Sequence, residues 1–510
     1  MTEHLVHYPS PDSIHKIVLL GLIAVFLLAI FPFLFFDIQR IGYVTSNGYS
    51  EGWNFVHISR ILDGKPLYVP LTGFPLTPVN YPPLSFMING ALSYFTGEIL
   101  LTGRLVSLIS LLIVSYLIFR IIEILTSKKT GALLGALIWL ALMVRIAEDY
   151  VGVYDPQMLG HVFSLGALYL YYKWIDKLTL QRTCVMALLC CLAVFIKYNL
   201  IAVPITLAIT LFFSHRRDFW TFSFAGIIIS SLAVFGCWVY GGEHFFSNFL
   251  ELDRAVSNSQ MREGIRKLLF THFVWILFLP FVMLLLKFKC QQRYMSVLIY
   301  FSFSFLLGSY FIRGIGVDRN IWFDFFIAVA IVYGLFAAES TIPKVFWSRV
   351  LTYGIIASGL LILSVNFRTD LKRVLNYDGL KQQEAAYHRD VELLQSISGP
   401  ALFEEPLLGF EAGKEFMFDP FNGSQMIVSR RVPETVLTDR IREKYFGAIV
   451  LIFDVDKMVR LLSKEKIDPL KPETKFTDRW TYNTLKNISE NYELLDSKSS
   501  KYFFYLPRKI

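Results

Sequence analysis

The run Ile17–Phe36, IVLLGLIAVFLLAIFPFLFF, decides the fold. It follows Lys16, precedes Asp37-Ile-Gln-Arg40 and contains no charged residue. About 20 apolar residues cross the hydrocarbon core of a bilayer as a helix. A cleavable signal peptide has a shorter apolar core and a small-residue cleavage site. The run therefore predicts an uncleaved anchor whose N-terminus is cytoplasmic.

Ten further apolar runs follow: Leu105–Leu125, Gly131–Val144, Met158–Ile175, Val185–Ile196, Leu200–Phe213, Phe219–Tyr240, Leu268–Leu286, Met295–Ile312, Ile321–Ala337 and Val350–Val365. Together they predict an all-α polytopic membrane protein of about eleven spans. Composition agrees: the 510 residues are 54% hydrophobic, 16% aromatic and only 18% charged, against about 25% charged in soluble domains. This excludes a disordered chain, a collagen, a disulfide miniprotein and an ordinary cytosolic enzyme.

The net charge of +8 does not imply a nucleic-acid partner, because Lys and Arg cluster between apolar runs. Lys128-Lys129, Lys173/Lys177/Arg182, Arg216-Arg217, Lys287/Lys289/Arg293 and Lys344/Arg349 fall on every second loop. With Lys16 they define one side, the cytoplasm, by the positive-inside rule. The other side receives 37–103, 145–157, 241–267, 313–320 and everything after Asn366. The five cysteines, Cys184, Cys190, Cys191, Cys237 and Cys290, show neither a disulfide framework nor a zinc spacing. No metal site is expected from them.

Two domains are expected: 1–366 in the membrane and 367–510 outside it. In the first outer loop, Phe55, Ile58 and Leu62 predict an amphipathic helix over Ser50–Asp63, stopped by Gly64. A second short helix starts at Pro82-Pro83 and stops at Gly97. Both are expected to lie along the outer membrane surface. In the charged C-terminal part, Asp370–Ile397 reads as a helix. Ala401–Phe403, Ala448–Phe453 and Tyr502–Leu506 read as strands, with helices near Pro433–Lys444 and Trp480–Asn491. That interleaving predicts a small extracytoplasmic α/β domain.

Ionisable groups at membrane level are costly and so mark candidate sites. Glu51 opens the first amphipathic helix, a position the helix dipole alone would also favour. The second outer loop carries Glu148, Asp149 and Asp155; Asp155 precedes Pro156 and suits an N-cap. His161 follows about one helical turn inward. The cations are Arg104, Lys197, Arg313 and Arg319. Snorkelling explains any one of them, and several at one interface suit a phosphate. Asp454-Val-Asp456 reads as a turn rather than a metal motif.

Several of these stretches resemble the polytopic GT-C glycosyltransferases, particularly the bacterial protein mannosyltransferase and lipid A aminoarabinose transferase group. They are Tyr49-Ser-Glu-Gly-Trp53 leading into Arg60-Ile-Leu-Asp-Gly-Lys-Pro-Leu-Tyr68, then Asn80-Tyr-Pro-Pro-Leu84, Gly103-Arg-Leu-Val-Ser107, Tyr154-Asp-Pro156, Lys197 and Asp318-Arg-Asn320. Glu405, Ala412-Gly-Lys414 and Asp419-Pro-Phe421 resemble a C-terminal extension of a bacterial subgroup.

The resemblance implies a glycosyltransferase acting on the extracytoplasmic side, with a polyprenyl-phosphate sugar as donor. Glu51 matches the acidic residue at the reaction centre and is the candidate general base; Asp155, the second catalytic candidate, would either help position the acceptor or orient one of the cations. Arg104, Lys197, Arg313 and Arg319 are candidates for the donor phosphate, and Tyr81 and His161 for the donor or acceptor pocket. Many relatives carry Asp, or two adjacent acids, where this chain has Ser50-Glu51, so a divalent metal is neither required nor excluded. The acceptor is a hydroxyl on a glycan, a glycolipid or a protein. The lack of long insertions between spans points to a bacterial inner membrane. Two other classes compete: a lipid or oligosaccharide flippase, which would show two similar halves and charges midway through its spans, and a non-catalytic scaffold.

Overall fold

The computed structural model describes residues 11–250, 254–272, 274–287, 292–339, 346–364, 367–464, 479–495 and 501–509. Lys289, Cys290 and Lys344 lie outside the described residues. Among the described residues all eleven apolar runs are mainly helical, although Leu268–Leu286 and Val350–Val365 are each broken into shorter pieces. The first nine helices are α1 (Pro11–Arg40), α2 (Tyr49–Leu62), α3 (Leu84–Thr96), α4 (Ile99–Thr126), α5 (Lys129–Ile146), α6 (Pro156–Trp174), α7 (Leu180–Ile196), α8 (Ala202–Ser214) and α9 (Arg216–Leu250). After them come α10 (Asn258–Arg266), α11 (Phe278–Lys287), α12 (Gln292–Phe311), α13 (Phe323–Glu339), α14 (Phe346–Ser358) and α15 (Leu360–Ser364).

Among the described residues, six helices are long and apolar enough to cross a membrane, or seven if the pair bent by 74° at Asn258–Thr271 and Val274–Leu286 counts as one span. Leu180–Ile196 and Ala202–Ser214 are apolar but shorter.

Helix α13 is apolar on all sides and therefore central: every residue from Phe323 to Ala338 is buried. It packs closely on α5 because small residues meet there. A β-carbon on Gly131 would lie 2.5 Å from the Ala338 β-carbon, and one on Gly135 would lie 2.8 Å from the Ala330 carbonyl. Such small-residue contacts are a usual way for helices to associate in lipid. At one end of the bundle Lys128 donates to the Ala338 carbonyl at 2.7 Å, joining the start of α5 to the last turn of α13 on the side expected to be cytoplasmic.

At the opposite end both outer-loop helices form within a residue or two of their expected limits. Pro83 precedes α3, and Gly97 ends it with φ +76°. The surface placement of α2 needs correction. From Glu51 to Ser59 it is buried on every face, because the C-terminal part of the chain covers it. The Leu407 backbone approaches so closely that a β-carbon on Gly52 would lie 2.6 Å from its nitrogen.

The C-terminal part begins with α16 (Phe367–Val374) and α17 (Tyr377–Ser396), two helices where one was expected. A mixed sheet follows, ordered β1-β2-β4-β3, from β1 (Ala401–Phe403), β2 (Ala448–Leu451), β3 (Tyr492–Leu494) and β4 (Phe503–Pro507). β1 and β2 are parallel, and β4 runs antiparallel to both β2 and β3. β3 was not expected: it has only three residues, two of them exposed. The sheet shares a core with the outer loop, in which Trp53, Phe55, Ile58 and Phe86 pack with Phe403, Leu407 and Phe504.

Candidate active site

Helix α2 brings Glu51 to the floor of this interface, facing Arg104 of α4. Arg104 Nε donates to Glu51 Oε1 at 2.8 Å and Nη2 donates to Oε2 at 2.7 Å. The backbone N–H of Tyr154 also donates to Oε1 at 3.2 Å, and that of Asn47 to Oε2 at 3.0 Å. Both side chains are sealed from solvent, at 1% and 0% exposure. A carboxylate offers about four lone-pair positions, and in Glu51 each oxygen already accepts two bonds.

Arg104 was expected at the donor phosphate and is found elsewhere. Its remaining N–H groups donate to the carbonyls of Ile41 at 3.1 Å, Tyr43 at 2.5 Å and Thr45 at 2.6 Å. A guanidinium has five donors, and none is left for a ligand. Arg104 fastens the start of the first outer loop to Glu51.

Asp155 caps α6 as expected, its Oδ1 accepting from the Gln157 N–H at 2.8 Å. Lys197, at the end of α7, lies 3.4 and 3.5 Å from its two oxygens. Asn320 donates to Oδ2 at 3.4 Å. These last contacts are long, so Asp155 is less fully engaged than Glu51. The Lys197 ammonium lies 5.2 Å from the centre of the Tyr81 ring, a cation–π distance. Burial pulls the Lys197 pKa down, but the Asp155 carboxylate and Tyr81 outweigh it, and the net shift is upward.

These groups border a cavity of about 580 Å³. Every segment expected on the outer side contributes to it: Asn47, Glu51 and Asn80 from the first loop, Asp149 and Asp155 from the second, Arg254, Arg313 and, from the C-terminal part, Phe421 and Arg479. Tyr81 lines it too. Segments 254–257 and 313–315 pair through the Val256–Gly314 bridge, with Ser257 N–H donating to Arg313 O at 2.7 Å and Ile315 N–H to Ala255 O at 2.9 Å. The two arginines thus stand on adjacent segments. Arg313 rests over the Tyr310 ring at 5.3 Å, and Arg254 over Phe421 at 5.2 Å. Neither has a carboxylate within 4 Å among the described residues, and the buried Arg313 Nε has no hydrogen-bond partner there.

Besides Arg104, two expected residues lie outside this cavity. Arg319 faces a neighbouring groove and pairs with Asp149 and Asp318. His161 is buried in α6 with Nδ1 3.8 Å from Asp324. Glu148 pairs with Arg373 of α16. Asp454 accepts from the Lys457 N–H at 3.0 Å, a capping role. No group of three or more metal-type ligands converges among the described residues.

The sequence reading did not single out Arg254 or Arg479. Arg479 donates to Glu404 at 3.0 Å and stacks over Tyr49 at 5.0 Å. The only local hint was a charged outer loop around Arg254.

Residues 80–240 match the family described as dolichyl-phosphate-mannose-protein mannosyltransferase. No curated protein sequence matches the chain. The structure superposes on ArnT from Cupriavidus metallidurans bound to undecaprenyl phosphate with a TM-score of 0.56 at 10% identity, covering 95% of this chain and 98% of that one. It superposes on the Archaeoglobus fulgidus oligosaccharyltransferase in the apo form with a TM-score of 0.53 at 12% identity, covering 95% and 74%. The fold is therefore that of the GT-C superfamily of membrane glycosyltransferases. Within that class, the sequence likeness to the protein mannosyltransferase family covers the stretch from the Asn80 motif to Tyr240 in α9.

Proposed function

We propose that the protein transfers a sugar from a polyprenyl-phosphate carrier to an acceptor hydroxyl at the extracytoplasmic face of a bacterial inner membrane. The observation that carries this reading is one cavity holding the Asp155–Lys197 pair beside Arg254 and Arg313, two guanidiniums without carboxylate partners among the described residues. Cations that no described carboxylate neutralises suit a lipid phosphate, and charge-assisted hydrogen bonds are the strong ones. Tyr310 and Val256 line the cavity and are 59% and 54% exposed, which gives an isoprenoid tail an apolar threshold.

In the reaction the acceptor oxygen bonds to the anomeric carbon and its proton passes to a carboxylate. The bond from that carbon to the phosphate oxygen breaks, with its electron pair moving onto the phosphate. Arg254 and Arg313 stabilise the charge that develops there. Asp155 is the better proton acceptor in this conformation. Glu51 has both oxygens filled and could act as the base only after Arg104 withdrew. An arriving phosphate competes with Asp155 for Lys197, which frees the carboxylate as the donor binds. Glu51 then acts on the reaction by holding the first loop in place.

The test is transfer from polyprenyl-phosphate sugars by the purified protein. General-base assistance is worth about 10²–10⁴-fold, so Asp155→Asn should lose about that much rate while donor binding holds or tightens, because Lys197 is released to the phosphate. Full activity in a folded Asp155→Asn variant would return the base role to Glu51. Absence of transfer by the wild type across donors and acceptors would end the reading.

A further inference from the structure

Asp419-Pro420-Phe421 has no part in the reaction above, yet it touches three segments that build the cavity. Asp419 is fully buried. It accepts from Trp53 Nε1 at 2.8 Å and from the Tyr49 hydroxyl, and so grips the first turns of α2. The same carboxylate accepts from the backbone N–H of Phe421 at 3.0 Å and of Asn422 at 2.8 Å, which orients the phenylalanine. Leu76 N–H donates to Met417 O and Asp419 N–H donates to Leu76 O, both at 2.8 Å, stitching the segment to the first outer loop. At the far end, the Phe421 ring lies so close to Gly316 that a β-carbon there would run into it. The Arg254 guanidinium rests over the same ring, 5.2 Å from its centre. Gln425 continues the contact, accepting from the Ala255 N–H at 3.3 Å.

We infer that Phe421 is a positioning residue for Arg254. Its ring is the platform on which the guanidinium rests, and Asp419 fixes that platform relative to α2. An arginine side chain has many rotamers to lose, and a flat apolar support reduces the entropy lost when it grips an anion. The donor phosphate is then bound tightly only when residues 417–422 are seated on α2 and on the loop at Gly316. The inference rests on the cavity being a polyprenyl-phosphate site.

The experiment is a double-mutant cycle on the full chain in detergent, with polyprenyl phosphate as the binding probe. Arg254→Ala should weaken binding about 10-fold or more. Phe421→Leu should weaken it about 3- to 10-fold. Because the ring acts through the arginine, the double variant should bind no more weakly than Arg254→Ala alone. Phe421→Met keeps most of the volume without the ring and should behave like Phe421→Leu, which covers the case of one variant failing to fold. Affinity within about twofold of wild type in Phe421→Leu and Phe421→Met, or effects that multiply in the double variant, would overturn the inference. A wild-type protein that binds no polyprenyl phosphate would instead remove the donor assignment, and the inference with it.

Discussion

Glu51 and Arg104 form a two-pronged ion pair at 2.8 and 2.7 Å from which water is shut out. The pair also fixes the loop leading into α2, since Arg104 binds three of its carbonyls. Removing one partner of such a pair strands the other charge and costs about 3–5 kcal/mol. Arg104→Ala is therefore expected to lower the unfolding midpoint sharply, and Glu51→Gln to lower it as well. The double variant Glu51→Gln with Arg104→Ala should lose less than the two single losses added together. Thermal unfolding in detergent measures all three, and equal midpoints for Arg104→Ala and wild type would contradict the pairing.

Gly103 precedes Arg104 and faces Tyr154. A β-carbon there would lie 2.5 to 2.9 Å from three atoms of the Tyr154 side chain. Tyr154 also donates its N–H to Glu51, so the clash is passed to the acid. Overpacking of this kind typically costs about 1–3 kcal/mol. Gly103→Ala should show that loss in thermal unfolding together with reduced transfer. Gly21→Ala is the control, since nothing lies within 4 Å of a β-carbon at that position.

Arg313 should act through charge. Loss of a charge-assisted contact costs about 1.5–3 kcal/mol, which corresponds to about a 10- to 150-fold weaker interaction. Arg313→Ala should raise the KM for donor within that range. Arg313→Lys should recover only part, because an ammonium lacks the planar fork. An unchanged KM in Arg313→Ala would take this residue out of the phosphate site.

Glu405 gives the junction a pH dependence. Burial raises its pKa to about 7 from an ordinary 4.5, outweighing the nearby Ser46 hydroxyl, Lys501 and Arg479. A carboxyl whose folded pKa is raised favours the folded state when protonated. Its contribution is complete below about 4.5 and is lost as the pH rises towards 7. The whole effect is on the order of 3 kcal/mol. The unfolding midpoint should therefore fall across that interval, and Glu405→Gln should flatten this part of the profile. An identical profile in the variant would show that another group is responsible.

Much of the architecture was legible because its signals are local. Apolar runs marked the membrane helices, of which six or seven among the described residues are long enough to cross a bilayer; Pro83 and Gly97 bracketed α3, and short apolar stretches marked β1, β2 and β4. Alternation of basic loops grouped the segments that in fact converge on one cavity. Asp155 and Lys197 were both anticipated, and they meet. Glu51 was anticipated too, but the filling of its oxygens was not, since that depends on Arg104 and on the distant Tyr154 N–H.

Composition and periodicity by themselves determined that the chain is a bundle of apolar helices with a mixed α/β end. Burial of apolar surface is written residue by residue. Tertiary structure alone decided which charges are spent and which are free. Arg104 meets Glu51 across 53 residues, and Asp419 meets Trp53 across 366. Whether a cation is neutralised or left open depends on a partner within about 4 Å, and no local pattern in the chain encodes that distance.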